Sequence, residues 1–138
     1  MTWTLTPSLV SKSENLVKWK VVCTSDGNAL TATDVFALMN DRLKRLIGGS
    51  FGMRMTVEPG TGGVIPNTTI NVTITNAQGH TMYAATAFSK DVVTPGANLS
   101  EDWGDYIPIY DYFGLAINDI GDSGDQVTLY FDCWLTRG

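Results

Sequence analysis

The stretch Thr68-Thr69-Ile70-Asn71-Val72-Thr73-Ile74-Thr75, followed by Asn76-Ala77-Gln78-Gly79, decides the fold class. Ile70, Val72 and Ile74 alternate with Asn71, Thr73 and Thr75, the period of a strand with one apolar and one polar face. The Asn-to-Gly segment is turn chemistry. A second run, Thr81–Thr86, follows it, so the two predict a β-hairpin. Ala84 and Ala85 are weak strand formers, but their small size would let another layer come close.

The same alternation recurs on both sides of this hairpin. In Asn15–Thr24, Val17, Trp19, Val21 and Cys23 point one way and Lys18 and Lys20 the other, before a turn at Ser25-Asp26-Gly27-Asn28. In Ser50–Glu58 the inward set is Phe51, Met53, Met55 and Val57, with methionine as gap filler. Phe113–Asp119 and Gln126–Thr136 are joined by Gly121-Asp122-Ser123-Gly124-Asp125. In the last run Val127, Leu129, Phe131, Cys133 and Leu135 face inward, while Tyr130 and Trp134 face outward, toward a subunit or a long loop.

One segment has helical spacing: Phe36, Met39, Leu43, Leu46 and Ile47, capped by Thr33 or Asp34 and stopped by Gly48-Gly49. Its cations Arg42, Lys44 and Arg45 lie in the last turns, where the helix dipole favours them. It either lies on the edge or mouth of a sandwich or is an exposed element that docks a neighbour. Residues 89–112, with Pro95, Gly96, Pro108 and mixed acids and aromatics, predict a long irregular connection of the kind that is functional or partner-stabilised. The sum is a mainly β chain, an antiparallel β-sandwich of jelly-roll-like type with one short helix. At 138 residues it is expected to form a single domain, 1–138, large enough to fold without metal or disulfide staples.

Composition narrows the function. The chain has 43% hydrophobic and 17% charged residues, 17 threonines and a formal net charge of −5. Residues 1–100 carry eight bases and six acids, whereas residues 101–138 carry eight acids against Arg137 alone. No run approaches the ~20 apolar residues of a membrane span, and Met1–Thr6 has no leader-like pattern, so a cytosolic origin is expected and no membrane partner. Cys23 and Cys133 then predict two buried thiols. The acidic balance, with only Arg42, Lys44, Arg45 and Arg54 as a basic cluster, argues against nucleic-acid binding.

Candidate chemistry is sparse. His80 follows Gly79 in a turn and cannot alone form a metal triad or activate a nucleophile. Asp119, Asp122 and Asp125 have the wrong spacing for a calcium loop and read as turn residues. Asn67-Thr68-Thr69, Asn71-Val72-Thr73 and Asn98-Leu99-Ser100 match the glycosylation sequon by chance in an Asn/Thr-rich chain. Pro59-Gly60-Thr61-Gly62-Gly63 precedes a strand, not the helix a phosphate loop needs. A hydrolase would have to draw on Asp102, Asp105 and Asp111, which no spacing rule singles out. No enzyme activity and no cofactor are expected. The aromatics Trp103, Tyr106, Tyr110 and Tyr112 are the main candidate binding feature. They could plug the end of the sandwich, anchor a subunit or stack on sugar, in that order of preference. Arg42, Lys44, Arg45, Tyr130 and Trp134 complete the candidate interface set.

The order of these segments resembles a group of small virion proteins of tailed bacteriophages. The resemblance runs through Thr24-Ser25-Asp26-Gly27-Asn28, Val57-Glu58-Pro59-Gly60, Pro66 to Gly79 (PNTTINVTITNAQG) and the closing strand Gly124–Tyr130. It covers about two-thirds of the chain. The helical segment and the acidic, aromatic connection are richer than that pattern. The resemblance implies a non-enzymatic, multi-copy structural role in the virion, assembled in the host cytoplasm. A capsid decoration or cement subunit comes first, a neck, tail or baseplate component second. The expected partners are further copies and the major capsid or neck and tail proteins. The rival of another class is a carbohydrate-binding module.

Overall fold

A computed structural model describes residues 2–47, 49–76, 78–91, 93–98, 107–109 and 112–135. The described strands are β1 (Thr4–Lys12), β2 (Leu16–Thr24), β3 (Leu30–Asp34), β4 (Gly49–Pro59), β5 (Ile70–Thr75), β6 (Thr81–Phe88), β7 (Thr94–Asn98), β8 (Ile107–Ile109), β9 (Gly114–Ile117) and β10 (Gln126–Leu135). They form two antiparallel sheets. One has six strands in the order β1-β2-β10-β4-β7, with β8 also on β4; the other has four in the order β3-β9-β5-β6. Apart from the successive strands β1–β2, β5–β6 and β7–β8, the chain keeps crossing from one sheet to the other.

Period-two patterning puts the expected residues between the sheets. Val17, Trp19, Val21 and Cys23 of β2 and Val127, Leu129, Phe131 and Cys133 of β10 are fully buried. They meet Ile70, Val72 and Ile74 of β5 and Leu115 and Ile117 of β9, all likewise buried. Thr75, read as outward, is buried instead, because it sits opposite Gly114 in the β5–β9 register. At the centre Trp19 and Phe131, cross-strand partners, stack at 4.5 Å and 19°. Phe113, at the start of β9, meets both edge-on at 5.8 and 5.5 Å. The buried indole N–H of Trp19 donates to Cys133 Sγ at 3.2 Å.

The helix expected over Phe36–Ile47 is broken in two, α1 (Val35–Leu38) and α2 (Asp41–Ile47). Met39 between them is extended, at φ −78° and ψ 147°. Two polar caps explain the break: Asp34 Oδ1 accepts from Ala37 N–H, and Asn40 Oδ1 accepts from Leu43 N–H. Phe36, Met39 and Leu43 still reach the core, which is what their spacing required. Asp34 Oδ1 also accepts from Phe113 N–H at 3.3 Å, tying the start of α1 to β9.

The connection 89–112 is less irregular than its composition suggested, since β7 and β8 both pair with β4. Strands β1 and β3 were also hidden in the sequence. Edge and interior strands differ in register. The interior pairs β2–β10, β10–β4 and β5–β9 run without a shift. Each of the edge strands β1, β3, β6 and β7 slips against its neighbour, and β8 has only three residues. Such bulges and short strands discourage edge-to-edge pairing with another chain.

Candidate subunit-docking surface

The unbroken register of β2, β10 and β4 lays out the outer face of the six-stranded sheet row by row. Lys20, Tyr130 and Thr56 form one row, Lys18, Asp132 and Arg54 the next, and Leu16, Trp134 and Gly52 the third. Lys20 Nζ lies 6.0 Å from the centroid of Tyr130, and the Arg54 guanidinium 5.6 Å from that of Trp134. Lys18 Nζ is 3.6 Å from Asp132 Oδ1. The two outward aromatics are therefore half-buried under flanking cations, an arrangement of cation–π geometry. A sugar ring would have to displace those cations to stack here.

Of the candidate residues, Tyr130 and Trp134 share this face. Arg42, Lys44 and Arg45 do not. They sit on α2, beside a small cavity of about 90 Å³ that Arg42 lines with Leu9, Asn40, Leu43 and Leu46. Leu9 pairs with the inward Trp19, so α2 covers the inner side of β1 and not the outer sheet face. Arg42 and Arg45 are exposed and Lys44 half-buried. Tyr112 is half-buried beside Gly114, whereas Trp103, Tyr106 and Tyr110 lie outside the described residues, as do Asp102, Asp105 and Asp111. Sequence reasoning missed the contribution of Lys18 and Lys20 and did not link Arg54 to Trp134. Only the register between strands far apart in the chain pairs these residues.

At one end of the sheets the loops 25–29, 60–69 and 118–125 interlock through backbone bonds. Ser25 N–H donates to Asp125 O and Gly124 N–H to Ser25 O, and Asn67 N–H donates to Ile120 O. The side chains of this end act as turn builders. Asp119 Oδ1 accepts from Gly121 N–H, Asp125 Oδ2 from Asp122 N–H, and Asp26 Oδ1 from Asn28 N–H. That is the turn chemistry expected of these aspartates. Among the described residues no three His, Cys, Asp or Glu side chains gather where they could hold a metal ion. His80 is exposed in its turn, with its N–H donating to Asn76 Oδ1. Among the described residues no helix is long and apolar enough to cross a membrane.

A groove of about 480 Å³ opens between β1 and β3, with Trp3, Leu5, Leu30 and Leu38 among its walls. Trp3 Nε1 donates to Asn28 O at 2.9 Å and holds the chain start across the 25–29 loop.

Both cysteines are free and buried, as expected. They lie at opposite ends of the sheet, Cys23 opposite Val127 and Cys133 opposite Val17, far beyond disulfide reach. Burial pushes both thiols up, Cys133 to about 12 even though the Trp19 N–H opposes the rise. A thiol that stays protonated and covered is inert. An aromatic disulfide reagent is expected to find no reactive thiol in the folded protein at pH 8 and both in denaturant. Rapid labelling without denaturant would show that the core opens readily.

Comparison with protein-family models and with curated proteins finds no match to this chain.

Proposed function

We propose that this chain is a non-enzymatic virion structural protein of a tailed bacteriophage. It acts in many copies, as a capsid decoration or cement subunit in preference to a neck, tail or baseplate component. The observation that carries the reading is the strand order on which the phage-like segments fall. With β1 and β8 set aside, β2-β10-β4-β7 packs with β3-β9-β5-β6, and apart from the β5–β6 hairpin the chain alternates between the two sets. That is the order of an eight-stranded jelly-roll sandwich, an architecture used by viral capsid, lectin and cupin domains.

Fold alone does not choose among those uses, so the outer face has to. Its rings, Tyr130 and Trp134, lie under Lys20 and Arg54, which suits contact with protein better than stacking on sugar. Rings with a cation over them resemble the aromatic and arginine anchors of protein interfaces. The quoted segments occupy structurally demanding places. Thr24–Asn28 makes the β2–β3 turn, Val57–Gly60 ends β4, and Pro66–Gly79 spans β5 with both its flanks.

The test uses particles of the encoding phage that lack this protein. Purified chain added back is expected to bind to saturation and appear as regular added density on the head by electron microscopy. Density at the neck, tail or baseplate would select the second location. No binding to any part of the particle would overturn the reading.

A further inference from the structure

We propose that the outer face of the six-stranded sheet receives the acidic loop end of a second copy of this chain. The inference deepens the virion reading and rests on it for the multi-copy setting. The charge of the receiving face is set by register. Lys18, Lys20 and Arg54 flank β10 on both sides, against Asp132 between them and Glu58, which the adjoining row of Val22, Thr128 and Glu58 adds to the same face. Leu16, beside Trp134 in the last row, is 40% exposed. The face thus carries these three cations against two carboxylates, a small positive excess centred on Lys20 and Arg54, with an uncovered apolar edge at Leu16.

The far end of the molecule is its complement. Asp26, Asp119 and Asp122 lie in the loops that close that end, and Asp91 follows β6, whose Phe88 pairs with Ile70 just after the 60–69 loop; Lys90 stands against them among the described residues. Two exposed aliphatic side chains stand among them, Ile65 at 37% and Val93 at 51%. Asp119 and Asp26 are held by backbone N–H groups, and Asp91 Oδ1 accepts from Ser89 Oγ at 2.8 Å. These charges are presented on fixed loops, so little side-chain freedom remains to be lost on contact. The polarity does not follow the halves of the sequence, since Asp26 and Asp91 join Asp119 and Asp122 only in space.

The edges argue for the same contact by exclusion. Slipped registers and short strands at β1, β3, β6, β7 and β8 discourage pairing by sheet extension, so copies meet through a face and an end. A face of one copy on the loop end of the next is a heterologous contact, and its repetition generates a ring or a chain of subunits. Opposite charge gives such a contact its orientation and its salt dependence.

The experiment is sedimentation of the full chain at low and high salt with two charge-reversed variants. One carries Lys20→Glu and Arg54→Glu on the face; the other carries Asp91→Lys and Asp122→Lys on the loops. The wild type is expected to self-associate at low salt, and each variant alone at least about tenfold more weakly. Mixed in equal amounts, the two variants should associate again, because each now offers what the other lacks. That rescue also certifies that both variants are folded. A wild type that stays monomeric, association indifferent to either variant, or a mixture without rescue would each overturn the contact. Wild type that binds particles singly, without self-association, overturns this contact while leaving the virion reading in place. Failure to bind particles at all with self-association intact does the reverse.

Discussion

Replacing Gly114 with alanine is expected to lower the unfolding free energy by about 1–3 kcal/mol, the usual cost of forcing extra volume into a packed site. Gly114 lies in β9 between Asp34 of β3 and Thr75 of β5. A methyl group there would overlap Thr75 Oγ1 and approach Tyr112 to 2.7 Å at Cε1 and 2.8 Å at Oη. Gly-to-Ala changes ordinarily stabilise by about 0.4–1 kcal/mol through the unfolded chain, so the sign of the result is itself informative. Thr75 Oγ1 is buried and makes no hydrogen bond, so the hydroxyl can be removed at little cost. Adding Thr75→Ala to Gly114→Ala should then recover much of the loss, a coupling that a double-mutant cycle in urea measures. A neutral single variant, or additive effects of the pair, would mean that β5 and β9 are not packed as closely as described.

Replacing Trp19 with alanine should cost more, about 3–5 kcal/mol, the range for deleting a buried large aromatic side chain. Trp19 stacks on Phe131, meets Phe113 edge-on and donates to Cys133, so one residue joins the two sheets and satisfies a buried donor. Against a total of about 5–15 kcal/mol for a domain, that loss puts the variant close to unfolding at 37 °C. Trp19→Phe keeps most of the volume and should lose far less. The check is the shift in urea midpoint for both variants. A loss under about 1 kcal/mol for the alanine variant would show that the sheets are held together elsewhere.

The parts of the fold that could be read in the sequence share one property: they depend on neighbours within a few residues. Alternation in β2, β5 and β10 named the buried apolar side chains from Val17 to Cys23, Ile70 to Ile74 and Val127 to Cys133, with Thr75 the exception, because a strand points successive residues to opposite sides whatever it pairs with. The elements that escaped were those whose local signal conflicts with their state. Pro7 interrupts the pattern of β1, Pro95 and Gly96 sit inside β7, and Pro108 is the middle residue of β8. Proline reads as a strand breaker, and it is tolerated in edge strands, where an N–H can go unpaired. Strand β3 was hidden because Asp34 is at once its last residue and the cap of α1. The single helix failed for a related reason. The apolar spacing of Phe36, Met39 and Leu43 survives a break in the backbone, so periodicity did not reveal that Asn40 starts a second helix.

The candidate surface was legible only in fragments. Tyr130 and Trp134 could be assigned to the outward side of β10 from alternation alone. That Lys20 lies over one ring and Arg54 over the other follows from pairing between residues more than seventy positions apart, and no local pattern encodes that register. The same holds for charge. By sequence the acids concentrate after residue 100, whereas in space Asp119 and Asp122 share an end with Asp26 and Asp91.

By itself, then, the sequence determined which side of β2, β5 and β10 is buried, where the main turns fall, and that the two cysteines are covered. Tertiary structure alone decided which strands are neighbours, and hence which side chains share a face and which loops share an end. The physical reason is one of range. Side-chain direction is set by the strand's own two-residue period, while register is set by packing between segments that meet only when the chain has folded.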